Sequence, residues 1–501
     1  MSERIRLILD TVITMWKTMI NKVVLSLLTF MITFFSGCAA VGPDYVASNK
    51  KSPTAWHGSL DNKLTDEQVE AQALASWWKT LNDTELSSLI DRALVSNLDV
   101  KEAYARIREA RASRNVAEAA RFPSIDFSGS QTATRGSDDN GSRETVESYS
   151  SGFDAGWEVD IFGGVRRSIE AASATYQASE EDLRDVLVTL VSEVALNYVD
   201  VRTYQARLAA VRDNIALQSE TCQLVDWRSQ AGLSDELALQ QARYSLESAR
   251  SKLPSMETGL EEAMNRIAVL IGIPPGGVHD ELSQSKPLPN LPLEVAIGVP
   301  ADMIRRRPDI RRAERQLAAQ TAKIGVATAD LYPKFTLNGS IGMEALKFNN
   351  LADNMFTPSD WILSAGPRVT WNIFDAGAIR GNIEVQSAIQ EQKLIQYEAA
   401  VLGAIEEVEN AIVAYVKEYQ TNESLRKAAQ AAQKAAELAD WEYQSGLTDF
   451  SNVLDAQRSL LTFQDQLTES DGVKVSNLIR VYKTLGGGWS SLMNQDEQNI
   501  D

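Results

Sequence analysis

Trp441–Leu461, WEYQSGLTDFSNVLDAQRSLL, places a glycine-marked turn between a very long helical run and a shorter one, and it has a twin at Trp227–Glu247, WRSQAGLSDELALQQARYSLE. At a constant offset of 214 the two share Trp227/Trp441, Gln230/Gln444, Gly232/Gly446, Leu233/Leu447, Asp235/Asp449, Ala242/Ala456, Ser245/Ser459 and Leu246/Leu460. The chain is built twice, and a unit present in two copies is expected to pack against itself with pseudo-symmetry.

Composition narrows the function classes. With 501 residues, 44% apolar and 23% charged, the chain is a folded protein. Two His and two Cys leave little for zinc sites, thiol redox work or imidazole catalysis. No catalytic, metal or cofactor site is expected. His57 and His279 fall outside the repeats, which further weakens a hydrolase reading. A net charge of −19 disfavours nucleic acid as a partner, because phosphate binding needs a basic face. Residues 1–37 hold four basic and two acidic residues, so a chain without them carries −21.

Arg4, Arg6, Lys17 and Lys22 precede an apolar run from Val23 to Phe35, shorter than the roughly 20 residues of a spanning helix. It reads as a signal h-region in residues 1–37, with Met1, Met15 or Met19 as the start. The following Phe35-Ser36-Gly37-Cys38-Ala39 resembles a bacterial lipobox, which makes Cys38 the lipidated N-terminus, and Ala39 after it favours outer-membrane sorting. Cys222 then has no intramolecular disulfide partner.

After residues 38–82, an extended N-terminal segment, the first repeat spans 83–272. A helical pattern runs from Asp83 to Arg121 and ends at Pro123. Its counterpart in the second repeat, 301–486, begins at Ala301, and at an offset of 210 Asp99/Asp309, Ala103/Ala313, Ala117/Ala327 and Pro123/Pro333 coincide. After each proline the period becomes two. Ile125 and Phe127, then Phe153, Ala155, Trp157, Val159 and Ile161, alternate with polar residues in a hairpin over 124–161. Phe335, Leu337, Ile341 and Met343, then Trp361, Leu363, Val369 and Trp371, do so over 334–373, with Pro367 expected at a bulge or rim. Each strand is about as long as the 9–11 residues that cross a bilayer as tilted β-structure. Four strands cannot close a barrel, and an open edge in lipid is forbidden, so the chain must oligomerise; two hairpins per chain allow eight, twelve or sixteen strands.

Each hairpin runs into a long proline-free segment, Gly164–Ala231 and Ala376–Ser445, in which Leu183, Leu187, Leu190, Val194, Tyr198 and Val201, and Ile405, Val408, Ile412, Tyr415 and Tyr419, recur at spacings of three and four. At 1.5 Å per residue each reaches about 100 Å, and helices of that length need partners along a coiled-coil wall. Gly232 and Gly446 mark the turns, Gly272 and Gly486 close the two copies, and Pro254 should interrupt its helix. Residues 273–300, with six of the 14 prolines, read as an extended linker, and 487–501 as a C-terminal tail. The pair Trp77-Trp78 reads as packing anchors, and Val453 and Leu454 as packing residues.

The ordered set CAAVGPDY, RRRPDIRRAERQLAA, LYPKFTLNGSIG, WEVDIFGGVRR, WNIFDAGAIRG and GLTDFSNVLDAQRSLL, spanning Cys38 to about Gly486, resembles the TolC-like outer-membrane efflux proteins, within them the NodT/OprM-type lipoprotein channels. The resemblance implies a membrane α+β fold: a homotrimer whose twelve strands, four per chain, form one transmembrane β-barrel in the bacterial outer membrane, continued by a long periplasmic α-helical barrel. It implies a passive channel rather than an enzyme, passing small molecules from a pump complex out of the cell. Its implied partners are outer-membrane lipid, a periplasmic adaptor protein and an inner-membrane resistance-nodulation-division transporter, with Gly232, Leu233, Gly446 and Leu447 in the adaptor-contacting tip turns. It places Asp455, and one turn earlier Asn452, at the periplasmic gate. The duct of a type I protein secretion system is the alternative with the same architecture; the lipobox and RRRPDIR favour the efflux branch.

Overall fold

The computed structural model describes residues 40–47, 55–58, 64–65, 71–135, 145–292, 295–300, 306–345 and 361–489; Cys38 and residues 490–501 lie outside the described residues. The chain divides into two compact units, Met1–Ala47 with Ala110–Tyr176 and Gln316–Leu394, and Ser48–Glu109 with Gln177–Arg315 and Ile395–Asp501.

The first unit carries a four-stranded antiparallel sheet of β2 (Ser124–Arg135), β3 (Thr145–Val159), β5 (Lys334–Ala345) and β6 (Trp361–Thr370), in the order β2-β3-β5-β6. The register keeps the period-two pattern in step across all four strands: Phe127 faces Phe153, Phe153 faces Ile341, and Ile341 faces Leu363. One face therefore collects Ile125, Phe127, Phe153, Trp157, Leu337, Ile341, Trp361, Leu363 and Val369, all exposed. The other is small and polar, with Ser128 donating to Asp154 at 2.9 Å and the Ser130/Ser150 and Ser340/Ser364 hydroxyls each 2.8 Å apart. Ile362 breaks the polar alternation of β6. Pro367 corrects the expectation of a bulge or rim: it pairs with Leu337 in unbroken register, tolerated because β6 is an edge strand of the sheet, where a missing N–H can face away from the ladder within the chain. At the strand ends Trp157 Nε1 donates to Arg121 O at 2.9 Å and Trp371 Nε1 to Leu331 O at 3.1 Å.

Helix starts follow from capping. The Asp160 carboxylate accepts from the N–H groups of Val165 and Arg166 at the start of α4 (Gly164–Gln230), and Asp375 accepts from Gly377 and Ile379 before α9 (Ala378–Gln444). These backbone donors hold the Asp375 carboxyl below the usual aspartate range.

The second unit is helical. The expected single helix over Asp83–Arg121 is two, α2 (Thr84–Ser96) and α3 (Leu98–Ala119). The break lies at Asn97, whose ψ of 140° is extended; its buried side chain donates to Leu270 O at 2.9 Å and accepts from Val100 N at 3.0 Å, a competing local bond that a periodicity count does not register. Leu187, Leu190, Val194, Tyr198 and Val201 of α4 are buried with Val408, Ile412 and Tyr415 of α9 in one core. Trp77 and Trp78 lie in that core at 0% and 1% exposure, Trp77 stacked on Tyr482 at 5.1 Å. Burial of each indole is worth roughly 4–6 kcal/mol as an upper estimate. Neither indole N–H finds an acceptor among the described residues, which costs about 1–3 kcal/mol each and leaves the balance favourable. They are packing anchors.

Residues 273–300 are more than an extended linker. Val278, Leu282, Val295 and Ile297 are buried, β4 (Val295–Ala296) pairs in parallel with β1 (Leu64–Thr65), and Arg202 and Gln205 of α4 donate to the carbonyls of Gln284 and Leu282 at 2.8 and 2.6 Å. The prolines make the chain extended there, and tertiary contacts pin it down. The RRRPDIR motif is likewise structural. Arg307, 9% exposed, donates to Asp309 at 3.1 and 2.7 Å, to Glu407 at 2.7 Å and to Thr484 O at 3.1 Å, closing the last turn of α10 (Phe450–Thr484).

Candidate functional site

At the tips of the helical repeats both turns close by the same hydrogen bonds. Gly232, at φ +73°, donates to Ser229 O at 2.9 Å while Leu233 donates to Arg228 O at 2.8 Å; Gly446, also at φ +73°, donates to Tyr443 O at 3.0 Å while Leu447 donates to Glu442 O at 2.9 Å. Each is a Schellman motif with glycine at the left-handed position, the end that satisfies the last carbonyls of a long helix. Gly272 and Gly486 end their helices in the same way.

The two tips part company one step later. Asp235 caps α5 (Glu236–Arg250) by accepting from Ala238 N at 2.9 Å, whereas the Asp449 side chain makes no cap bond at the start of α10. Trp227, Leu233, Leu237, Trp441 and Leu447 are all more than half exposed. Apolar side chains concentrated at two turns make a surface suited to a protein partner.

Behind the turns Val225, Ala238, Leu239, Ala242, Phe450, Val453 and Leu454 form a dry cluster, with Cys222 and Tyr443 at its margin. Val453 and Leu454 pack, at 0% and 4% exposure. Asp455 does not: its side chain is 71% exposed and meets Arg458 at 3.3 Å. Asn452 is also exposed and donates to Thr448 Oγ1 at 2.7 Å. Arg458 donates to Tyr244 OH at 3.0 Å, a partner that the sequence reading missed; both residues lie within the aligned copies at the repeat offset, so duplication itself was the available signal.

Further along the helices lies a second dry cluster of Leu208, Val211, Ala249, Met256 and Leu461. Between the two, α4 buries Asn214 and Gln218 and α10 buries Gln457. Gln218 donates to Asn214 Oδ1 at 2.8 Å and Gln457 to Thr221 Oγ1 at 3.4 Å, yet the Oε1 atoms of both glutamines are buried without a partner among the described residues. At the repeat offset α9 carries Ala428, Ala432 and Ala436 where α4 has Asn214, Gln218 and Cys222. Ala432 and Ala436 pack with Leu460. The seam of the second copy is close-packed alanine, and that of the first is polar.

A sheet with one exposed apolar face and, among the described residues, two unpaired edges, joined in sequence to paired 67-residue helices with duplicated tips, defines a class: subunits of outer-membrane channels. The family described as Outer membrane efflux protein matches residues 89–273 and 299–487, and the chain belongs to it. Nodulation protein T of Rhizobium leguminosarum bv. trifolii is 33% identical over 444 residues, 88% of this chain and 92% of that protein. The pyoverdine export outer membrane protein OpmQ of Pseudomonas aeruginosa is 31% identical over 474 residues, 92% and 97% of the two chains. Among solved structures, the outer-membrane channel OprN superposes with a TM-score of 0.84 at 33% identity, covering 90% of this chain and all of that one. The fold class expected from the sequence is that of these channels, and the bacterial outer membrane is its location.

Proposed function

We propose that the chain is the exit duct of a tripartite efflux system, with three copies closing a twelve-stranded barrel around one axis. The observation that carries this reading is the sheet: its apolar face is exposed from β2 to β6, and among the described residues its two edges are unpaired. In lipid an apolar face is stable and an unpaired edge is not, so the edges of neighbouring copies must join. The polar face, lined by Ser128, Ser130, Ser150, Ser340 and Ser364, then lines an aqueous lumen.

Conduction through such a duct is passive, and control sits at the tips. Gly232, Leu233, Gly446 and Leu447 present the surface on which a periplasmic adaptor docks, and a proton-driven inner-membrane transporter of the resistance-nodulation-division class delivers the cargo. Asp455, exposed on α10, contributes one carboxylate per copy to a ring at the periplasmic aperture, where converging like charges favour cations. Asn452, one turn away, adds polarity without charge. Cys38 carries the lipid anchor, two acyl signals being what stable anchoring requires.

The test is native mass spectrometry of the detergent-extracted channel followed by planar-bilayer recording. A trimer with discrete cation-preferring openings is expected. A dimer or tetramer overturns the twelve-stranded closure, and a trimer whose openings show no cation preference overturns the carboxylate ring.

A further inference from the structure

Ala40–Asp44, the first described residues after Cys38, converge on one buried side chain. Arg167, near the start of α4 and 4% exposed, donates from Nε to Val41 O at 3.0 Å and from Nη2 to Ala40 O at 3.5 Å, Gly42 O at 3.3 Å and Asp44 Oδ1 at 2.6 Å. Its Nη1 donates to Glu170 at 2.7 Å. Three successive carbonyls thus turn toward a single guanidinium, an arrangement that uses the planar fork and that an ammonium cannot reproduce. Val41 N–H donates in turn to Phe162 O at 3.0 Å, tying this strap to the residues that follow β3.

Glycines make room for it. A Cβ on Gly42 would lie 2.4 Å from Gly325 Cα, one on Gly163 would lie 2.5 Å from Ala40 Cβ, and one on Gly325 would lie 2.7 Å from Arg167 Cγ. Tyr45 continues the contact by packing on Ala174, Ala318 and Ala319. The strap is seated along its length, with backbone, charge and small residues all serving the same fit.

The seat adjoins the foot of the sheet. There Trp157 and Trp371 turn their indole N–H groups to backbone carbonyls, Phe162 stacks on Tyr332 at 4.6 Å, and Phe122 and Phe374 are exposed. Aromatic side chains with one apolar and one polar end, gathered where lipid-facing strands stop, mark the headgroup level of a membrane.

We propose that Ala40–Asp44 is a docked strap and that Arg167 is the positioning residue which fixes where the acylated N-terminus meets the lipid, at the aromatic belt beside the end of β3. Cys38 is two residues from Ala40, and two residues span at most about 7 Å. The partner of this surface is the phospholipid leaflet at the foot of the sheet, and the dock sets the anchor's level before any acyl chain inserts. This inference rests on the reading of Cys38 as the acylation site.

The test removes the acyl chains so that the dock alone holds the strap. The full mature chain, exported with an ordinary cleavable signal and carrying Cys38→Ser, Cys222→Ser and Val41→Cys, is labelled with bimane and reconstituted into phosphatidylcholine vesicles. Val41 enters the hydrogen bonds of the dock through its backbone N–H and carbonyl, which the substitution keeps. Lipid brominated near the headgroup end of its chains should quench the label at least twofold more than lipid brominated near the chain ends, and Arg167→Met should lower that quenching at least twofold. Arg167→Lys should lower it as well, since it keeps the charge and loses the fork, and it serves as the reading if Arg167→Met does not assemble. Quenching unchanged in the assembled variants, or absent from the parent, overturns the proposal. The mass of the unaltered chain reports acylation separately: an unmodified Cys38 removes the anchor while leaving the dock measurement intact.

Discussion

Arg458 and Tyr244, 214 residues apart and therefore at one position of the duplicated unit, hydrogen-bond to each other at 3.0 Å. The two copies meet through equivalent residues, and the contact holds Arg458 where it also reaches Asp455. The charge assigned to the gate is thus partly offset by its own helix.

That pairing makes the sign of two substitutions opposite. Asp455→Ala should lower the cation preference of the reconstituted channel and weaken block by multivalent cations, whereas Arg458→Ala should raise both. The differences should shrink as salt rises, because exposed charges are screened beyond about 10 Å at 0.1 M. Assembly should be unaffected in both, an exposed pair being worth about 0–1 kcal/mol. Equal selectivity in both variants, with trimers verified, would remove Asp455 from the gate.

The tip glycines should tolerate substitution better than Gly272, which closes the first repeat. A Cβ on Gly232 or Gly446 meets nothing within 4 Å, so alanine costs only the left-handed backbone, about 1–2 kcal/mol. At Gly272 the same φ penalty is joined by a clash, since a Cβ would lie 2.6 Å from Ser96 O. Urea unfolding should therefore rank Gly272→Ala well below Gly446→Ala in stability, and an equal loss would contradict this account.

Gln218 should be replaceable with a gain once Asn214 is changed with it. Its buried Oε1 has no partner among the described residues, an arrangement that costs about 1–3 kcal/mol, while its Nε2 is the donor to the buried Asn214 Oδ1. Asn214→Ala combined with Gln218→Leu is expected to raise the unfolding midpoint, and a polar insertion in the other copy, Ala432→Gln, to lower it. The measurement is thermal melting by circular dichroism, and a loss of stability in the double variant would show that the layer is satisfied by water.

Burial raises the Asp309 pKa, and the Arg307 guanidinium more than offsets it, leaving the carboxyl below the usual aspartate range. A depressed carboxylate contributes stability above the unfolded pKa, about 3.9, and loses it as pH falls through the folded value. Arg307→Met leaves Asp309 buried without the guanidinium, which moves its pKa upward. The variant should be about 3 kcal/mol less stable near neutral pH, with the gap closing in acid as Asp309 is protonated. Denaturant titrations at a series of pH values measure it, and a gap independent of pH would mean that packing, not charge, is what Arg307 supplies.

Much of this molecule is local and so is legible in one dimension. The duplication, the four alternating strands, the long helical runs and the tip glycines follow from period and from the φ that only glycine adopts at little cost, both properties of neighbours in the chain. Oligomerisation also follows from sequence by arithmetic, because four strands cannot surround a lumen.

Tertiary structure decided what distant residues do to each other. Asn97 breaks a helix because Leu270 lies within reach of its amide, and residues 273–300 are pinned because Arg202 and Gln205 face their carbonyls. Arg167 seats a strap more than a hundred residues away in sequence. Gln218 and Ala432 occupy one position of the repeat, yet only packing reveals that the first leaves an oxygen unpaired and the second closes a seam. Sequence period records which face a residue takes; whether a buried polar atom finds a partner depends on what the fold brings opposite it, and that is a matter of three-dimensional distance alone.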